Sequence, residues 1–345
     1  MNILAIGDLV GNCAIKELRE KLPIIKKEEN IDFVIVNGEN VAEGMGMTEK
    51  NFNDILAQKI NVITMGNHTW GKKDIFKFID HPQIIRPANY SKPVCGKGYN
   101  IFECKEKKIA VINLIGRVSM NVLSDNPFLV AKDIVEKIKS QVDIIIVDFH
   151  GEATAEKIAF AYYMDGKITA MFGTHTHVQT ADERIFPNGT GYITDIGMTG
   201  PKNSVIGMAI EASVKRFETT LPEKYKIAEG PCMLNGVVFQ IDDNTNKVTK
   251  IKRIQKWANL NSWIWDTLEF GDTLKNQDFR KILIFKSVPK FKGVPNSRGK
   301  IIKICLIFLK HNSMCWKLSN IILNCDEIWK KLPKNSLQIK IAGIK

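Results

Sequence analysis

A serial rhythm constrains this chain more than any other feature: short apolar runs separated by amphipathic segments. The runs are Asn2–Ile6, Asp32–Val36, Asn61–Met65, Lys108–Leu114, Asp143–Val147 and Ile168–Phe172. Such runs, short and rich in Ile and Val, predict buried strands. The segments between them carry helical spacing. Ala14–Asn30 sets Ile15, Leu18, Leu22 and Ile25 on one face, with Pro23 as a candidate kink. Thr48 predicts an N-cap for a helix carrying Phe52, Ile55, Leu56 and Lys59. Further helices are predicted from Lys72 to about Ile79, from Asn126-Pro127 onward, and from Thr154, as a cap, to about Asp165. Residues 81–107, with Pro82, Pro87 and Pro93, read as loop and turn. Gly191–Asp195 and Gly236–Ile241 read as further strands, and Lys247–Ile254 as the edge partner of the latter. Strands alternating with helices imply an α/β fold whose sheet is largely parallel or mixed and covered on both faces.

In such sheets ligands bind beyond the carboxyl ends of the strands. Those ends carry Asp8, then Glu39 and Asn40, then Asn67 and His68, then His150, then His175 and His177. The chain has only 6 histidines, so four of them following apolar runs is informative. Hard oxygen and imidazole donors without thiolate suit Fe, Mn, Zn or Co and disfavour Cu(I) or iron–sulfur sites. A catalytic ion takes about four protein ligands or fewer. Seven candidates (Asp8, Glu39, Asn40, Asn67, His150, His175 and His177) exceed the need of one ion and suit two. Two ions ~3.5–4 Å apart clamp the attacking and leaving oxygens of a phosphate ester, and a bridging water becomes the hydroxide nucleophile. Bland alternatives stand beside this reading. Asp8 could cap a helix, Asn67 could be a turn residue, and Asn40 could merely orient Glu39. Arg117 is open between a phosphate clamp and a surface salt bridge. Asp148 and Glu152 read as structural, and Asp195 as either support for a ligand or scaffold.

The motifs Gly7-Asp8-Leu9-Val10-Gly11, Asn37-Gly38-Glu39-Asn40, Gly66-Asn67-His68-Thr69-Trp70, Phe149-His150-Gly151-Glu152-Ala153-Thr154 and Gly173-Thr174-His175-Thr176-His177 occur in this order. The pattern resembles the calcineurin-like metallophosphoesterases and, more narrowly, the YmdB family of bacterial cyclic-nucleotide phosphodiesterases. The resemblance covers residues 1 to about 256. It implies a metallophosphoesterase sandwich of mixed β-sheets flanked by helices. It further implies that Asp8, Glu39, Asn40 and His177 hold one ion, and that Glu39 (bridging), Asn67, His150 and His175 hold the other. His68 would be the proton donor to the leaving oxygen. The implied metals are iron first and manganese second, and the implied substrate is a 2′,3′- or 3′,5′-cyclic nucleotide. Two departures from the wider superfamily fit the narrower family: Val10 replaces the histidine of an Asp-x-His opening, and Glu39 replaces a bridging Asp. Two other functions compete. One is a phosphomonoesterase or protein phosphatase on the same metals; the other is a regulatory nucleotide- or RNA-binding protein.

Charge divides the chain into 1–256, the metallophosphoesterase domain, and 257–345, an atypical basic C-terminal extension open to poor order. The first part holds 33 Lys and Arg against 31 Asp and Glu, and the second 16 against 6. The first part is thus nearly neutral, so overall basicity does not argue for nucleic-acid binding by the core. The extension reads as an appended helical domain, a basic surface-binding tail, or an irregular extension such as out-of-frame translation. Its composition favours the last two, and RNA is the candidate contact of a basic tail. The 7 scattered cysteines form no zinc-type or disulfide framework. A cytoplasmic enzyme is expected, without signal peptide or membrane span, and a homo-oligomer is left open.

Overall fold

The predicted strands form, and they divide between two mixed sheets, as the sandwich implied by the resemblance requires. The computed structural model describes residues 1–257, 282–287 and 302–307. The chain splits into two compact units, Met1–Asp266 and Thr267–Lys345. In the first unit, β1 (Asn2–Ile6), β2 (Asp8–Leu9), β3 (Phe33–Asn37), β4 (Val62–Thr64) and β5 (Ile84–Ile85) enter one sheet. The chain then builds a second sheet from β6 (Tyr99–Cys104), β7 (Lys107–Ile115), β8 (Ile144–His150), β9 (Ala170–Thr174), β10 (Arg184–Ile185) and β11 (Gly191–Ile193). It returns to the first sheet with β12 (Met198–Pro201), β13 (Cys232–Ile241) and β14 (Val248–Trp257). The first sheet runs β2-β12-β13-β1-β3-β4-β5, with β14 paired to β13; the second runs β10-β11-β9-β8-β7-β6. Both are mixed. β1, β3, β4 and β5 are mutually parallel, as are β7, β8, β9 and β11, while β13, β6 and β10 run antiparallel to their neighbours.

Strand alternation sorts the side chains into layers. Ile3 and Ala5 of β1 meet Ile109, Val111, Ile144, Ile146 and Phe172 in the core between the sheets. Leu4 and Ile6 point the other way, onto α1 (Gly11–Glu28) and α2 (Glu49–Leu56). Ile112, Leu114, Val147 and Phe149 cover the outer face of the second sheet against α3 (Pro127–Ile138) and α4 (Thr154–Met164). The result is a sandwich of two mixed sheets with helices on both outer faces. Every residue of β3, β4, β8 and β9 is buried, which explains why these strands read as unbroken apolar runs.

Several boundaries differ from expectation, each for a local reason. The helix expected from Lys72 to about Ile79 is a short 3-10 helix, Lys73–Lys77. Ile75 is its one buried residue, and its end is closed by the Phe78 N–H on Ile75 O at 3.1 Å, the three-residue spacing of that tighter helix. Residues 81–107 are not all loop, for they contain β5 and β6. β6 is an edge strand with apolar residues on both faces: Tyr99 and Ile101 pack outward, Phe102 and Cys104 inward. Its alternation is therefore hidden, and its two-residue turn uses Lys105 at φ 55° where glycine or asparagine would have signalled it. α2 stops at Leu56, short of Lys59, whose φ of 57° is left-handed. Thr154 is the first residue of α4 and caps nothing; Ala153 holds the cap position. Asp8 is not a helix cap, since Val10 precedes α1. α5 (Ile210–Thr219) was not expected, and none of its residues is buried, so no apolar face announced it as core.

In the second unit, β15 (Ile282–Ser287) pairs antiparallel with β16 (Ile302–Ile307). The expectations of a basic tail, of poor order and of RNA contact otherwise fall outside the described residues. Among the described residues no helix is long and apolar enough to cross a membrane.

Candidate metal centre

The parallel strands of both sheets deliver their carboxyl ends to one place. Around His150 Nε2 lie Asn67 Oδ1 at 2.8 Å, Glu39 Oε1 at 3.0 Å and His175 Nδ1 at 3.1 Å. Glu39, His150 and His175 form a cluster whose ligand atoms lie within 4.8 Å of one another. Asp8 adjoins it: Oδ1 is 3.9 Å from His150 Nδ1, and Oδ2 accepts the His175 backbone N–H at 3.2 Å. The other Glu39 oxygen accepts the His68 backbone N–H at 2.8 Å, which sets His68 beside the cluster. His177 is buried and lies close enough to Asp8 to act on its charge. Asn40 is buried too, but its amide donates to Gly44 O at 2.9 Å and it hydrogen-bonds none of the other candidates. Arg117 is exposed; its backbone N–H donates to the Glu156 carboxylate, and its side chain joins no ion pair among the described residues.

The three histidines share one arrangement. His150 Nδ1–H donates to Thr174 Oγ1 at 2.9 Å, because that hydroxyl is itself committed to Asp148 Oδ1 at 2.7 Å. His175 Nε2 faces Glu152 Oε2 at 3.2 Å, and His177 Nδ1–H donates to Ile206 O at 2.9 Å. Each ring thus has one nitrogen tied outward, which leaves the other turned inward, where it could serve a metal ion. Asp148 is held in turn by Thr64 Oγ1 and, at 3.2 Å, by Asn37 Nδ2. Sequence reasoning set Asp148 and Glu152 aside as structural, yet each orients a histidine.

These donors fit a cation better than a proton. One N–H on His150 Nε2 cannot serve three converging partners. Among the described residues, Asp8 Oδ1 and Asn40 Oδ1 are buried without a hydrogen-bond partner, an arrangement that costs free energy unless something cationic is supplied. Gly66 leaves the space open: a Cβ there would stand on the Glu39 carboxylate and the His150 ring.

Charges inside the cluster are strongly interdependent. Burial opposes the Glu39 charge, but the neighbouring His150 outweighs it and holds Glu39 down to about 2. Burial likewise opposes a charged His150, and Glu39, Asp8 and Asp148 together lift it to about 9. Burial raises Asp8 to about 6 against the pull of His177 and His150. Burial and the His150 charge push His175 down to about 3, and burial lowers His68. A proton shared between His150 and Glu39 occupies the ground a metal would take.

Sequence reasoning missed Tyr90, whose hydroxyl donates to Gly66 O at 3.0 Å, and Lys157. Lys157 had a visible signal: it stands three and four residues before Phe160 and Ala161, on the buried face of α4.

The family model of YmdB-like proteins matches residues 4–254. A protein of Bacillus subtilis (strain 168) named 2′,3′-cyclic-nucleotide 2′-phosphodiesterase is 48% identical over 255 residues, 74% of this chain and 96% of its own. A crystal structure described as a novel phosphatase of Mycoplasma pneumoniae superposes with TM-score 0.71 at 39% identity, covering 74% of this chain and 93% of that one. A hypothetical protein of Thermus thermophilus superposes with TM-score 0.71 at 31% identity, covering 75% of this chain and 100% of that one. The sandwich, the order of its motifs and the convergence of their side chains agree with these matches: the chain belongs to the YmdB-like protein family.

Proposed function

We propose that this chain is a metal-dependent phosphodiesterase that hydrolyses cyclic nucleotides, with its catalytic unit in residues 1–256. The observation that carries the reading is the meeting of Glu39 Oε1, Asn67 Oδ1 and His175 Nδ1 at His150 Nε2. The B. subtilis relative supports a 2′,3′-cyclic nucleotide as the substrate to try first. Asn67, His150 and His175 would hold one ion, Asp8, Asn40 and His177 the other, with Glu39 shared by both. Two cations held there would supply positive charge against the phosphoryl oxygens and lower the pKa of water. The nitrogen and oxygen donors suit iron or manganese. The chain's own groups do the rest. Asp148 and Thr174 keep His150 in one tautomer, and Glu152 does the same for His175. His68 stands beside Glu39, half-buried, and gives a proton to the departing ribose oxygen. Burial favours its neutral form and Glu39 opposes that; its partial exposure lets it regain the proton from solvent. The free thiols of Cys13, Cys95, Cys104 and Cys232 support a reducing, cytoplasmic setting.

Metal analysis of the purified full-length chain, paired with assays on 2′,3′-cyclic AMP, 3′,5′-cyclic AMP and p-nitrophenyl phosphate, tests the proposal. About two metal ions per chain and turnover of a cyclic nucleotide are expected. Turnover of the monoester alone would instead support a phosphomonoesterase on the same metals.

A further inference from the structure

The loop from Thr174 to Thr180 carries two of the candidate ligands in a backbone path that side chains rarely take. His175 has φ 99° and His177 φ 65°. Residues other than glycine in this region are uncommon, and they persist only where the surroundings over-determine them. Asp8 accepts the His175 N–H itself, and the peptide groups on either side of His175 are held by one ammonium and one carboxylate. Lys157 Nζ donates to Thr174 O and to Asp195 Oδ2, both at 2.9 Å. Asp195 Oδ2 also accepts Thr176 N–H at 3.1 Å, and Oδ1 accepts Gly197 N–H at 2.8 Å. The Asp195 backbone closes the far end of the loop: its N–H donates to Thr180 Oγ1 and its carbonyl accepts Thr180 N–H, both at 3.0 Å. Lys157 and Asp195 are both fully buried.

A buried ion pair is a poor stabiliser, since removing both charges from water offsets most of their attraction. An apolar pair of similar size in the same place would hold the fold as well. What the charged pair does, and an apolar pair does not, is engage the Thr174 carbonyl and the Thr176 N–H on either side of His175. We propose that Lys157 and Asp195 are positioning residues of the metal centre, whose ion pair fixes the left-handed path that aims His175 and His177. The assignment rests on the metal reading above and names residues that reading does not use as ligands.

The test is titration of chelator-stripped, full-length protein with Mn²⁺ by calorimetry, well below the melting temperature. Lys157→Met with Asp195→Asn removes both charges together and so leaves no unpaired ion in the interior. It is expected to fold and to bind Mn²⁺ 10- to 100-fold more weakly. Asp195→Asn alone, an isosteric change, is expected to weaken Mn²⁺ binding in the same direction. Ile112→Ala, in the outer core of the second sheet, is the control: it lowers the melting temperature and leaves Mn²⁺ affinity unchanged. Wild-type affinity in both Asp195 variants overturns the assignment. Loss of affinity in the Ile112 control overturns it too, because the effect would then be general destabilisation. If the wild-type chain takes up no Mn²⁺, the metal reading itself fails, and that outcome is distinct from the others.

Discussion

Both oxygens of Glu39 are engaged, Oε1 with His150 and Oε2 with the His68 backbone N–H. Glutamine keeps the shape and removes the charge that two cations would share. Glu39→Gln is expected to lower kcat at least ~100-fold while circular dichroism shows an unchanged fold. Wild-type turnover and metal content in that variant would contradict the assignment. The metal-free protein has a pH dependence with a definite sign. Glu39 is lowered, so its contribution is present above its ordinary 4.5 and is lost as pH falls toward about 2. His150 is raised, so its contribution is present below its ordinary 6.5 and is lost as pH rises through about 9. Asp8, raised to about 6, has spent its own change by then. Chelator-treated protein is therefore expected to melt at a lower temperature at pH 9 than at pH 6.5, and His150→Asn is expected to flatten that slope. The candidate residues were legible in the order of residues alone, since Asp8, Glu39, Asn67, His150 and the His175/His177 pair each follow an apolar run. Their outward partners were not. Glu152 meets His175, and Asp148 meets the Thr174 hydroxyl, through contacts between separate segments that no spacing in the sequence encodes; the spacing marked Lys157 as buried on α4 without showing what it holds.

At the scale of elements, termini separate what local chemistry settles from what it does not. Thr48 has extended backbone, and its hydroxyl accepts Asn51 N–H at 3.2 Å while the Asn51 side chain accepts Thr48 N–H at 3.3 Å. This reciprocal cap is written into adjacent residues, and the sequence reading found Thr48. Thr48→Ala is expected to cost ~1 kcal/mol in urea unfolding with kcat unchanged. Thr154 looked equivalent and is not, because the extended residue before α4 is Ala153. One residue of register is decided by how the chain leaves β8, which lies outside the reach of a local motif. β6 and α5 were missed for opposite reasons: β6 is apolar on both sides and shows no period, while α5 buries nothing.

Across the whole molecule, the inter-sheet core joins the two halves of the candidate metal centre. Phe172, fully buried there, lies on β9 just before the histidine loop, in a core cluster that includes Ile3, Ile35 and Ile146 from both sheets. Phe172→Ala is expected to cost ~3–5 kcal/mol by urea unfolding. It is also expected to weaken metal binding, because Asp8 and Glu39 come from one sheet and His150 and His175 from the other. Wild-type metal affinity in a variant so destabilised would show that the loops hold the ligands without the core. Hydrophobic period and residue chemistry, which are local, determined the strands, most of the helices and the chemical types gathered at the strand ends. Division into two sheets, the return of β12 to β14 to the first sheet and the pairing of each histidine with its outer oxygen were decided only in three dimensions. Those choices depend on which apolar faces bury each other, and that is a property of the assembled chain.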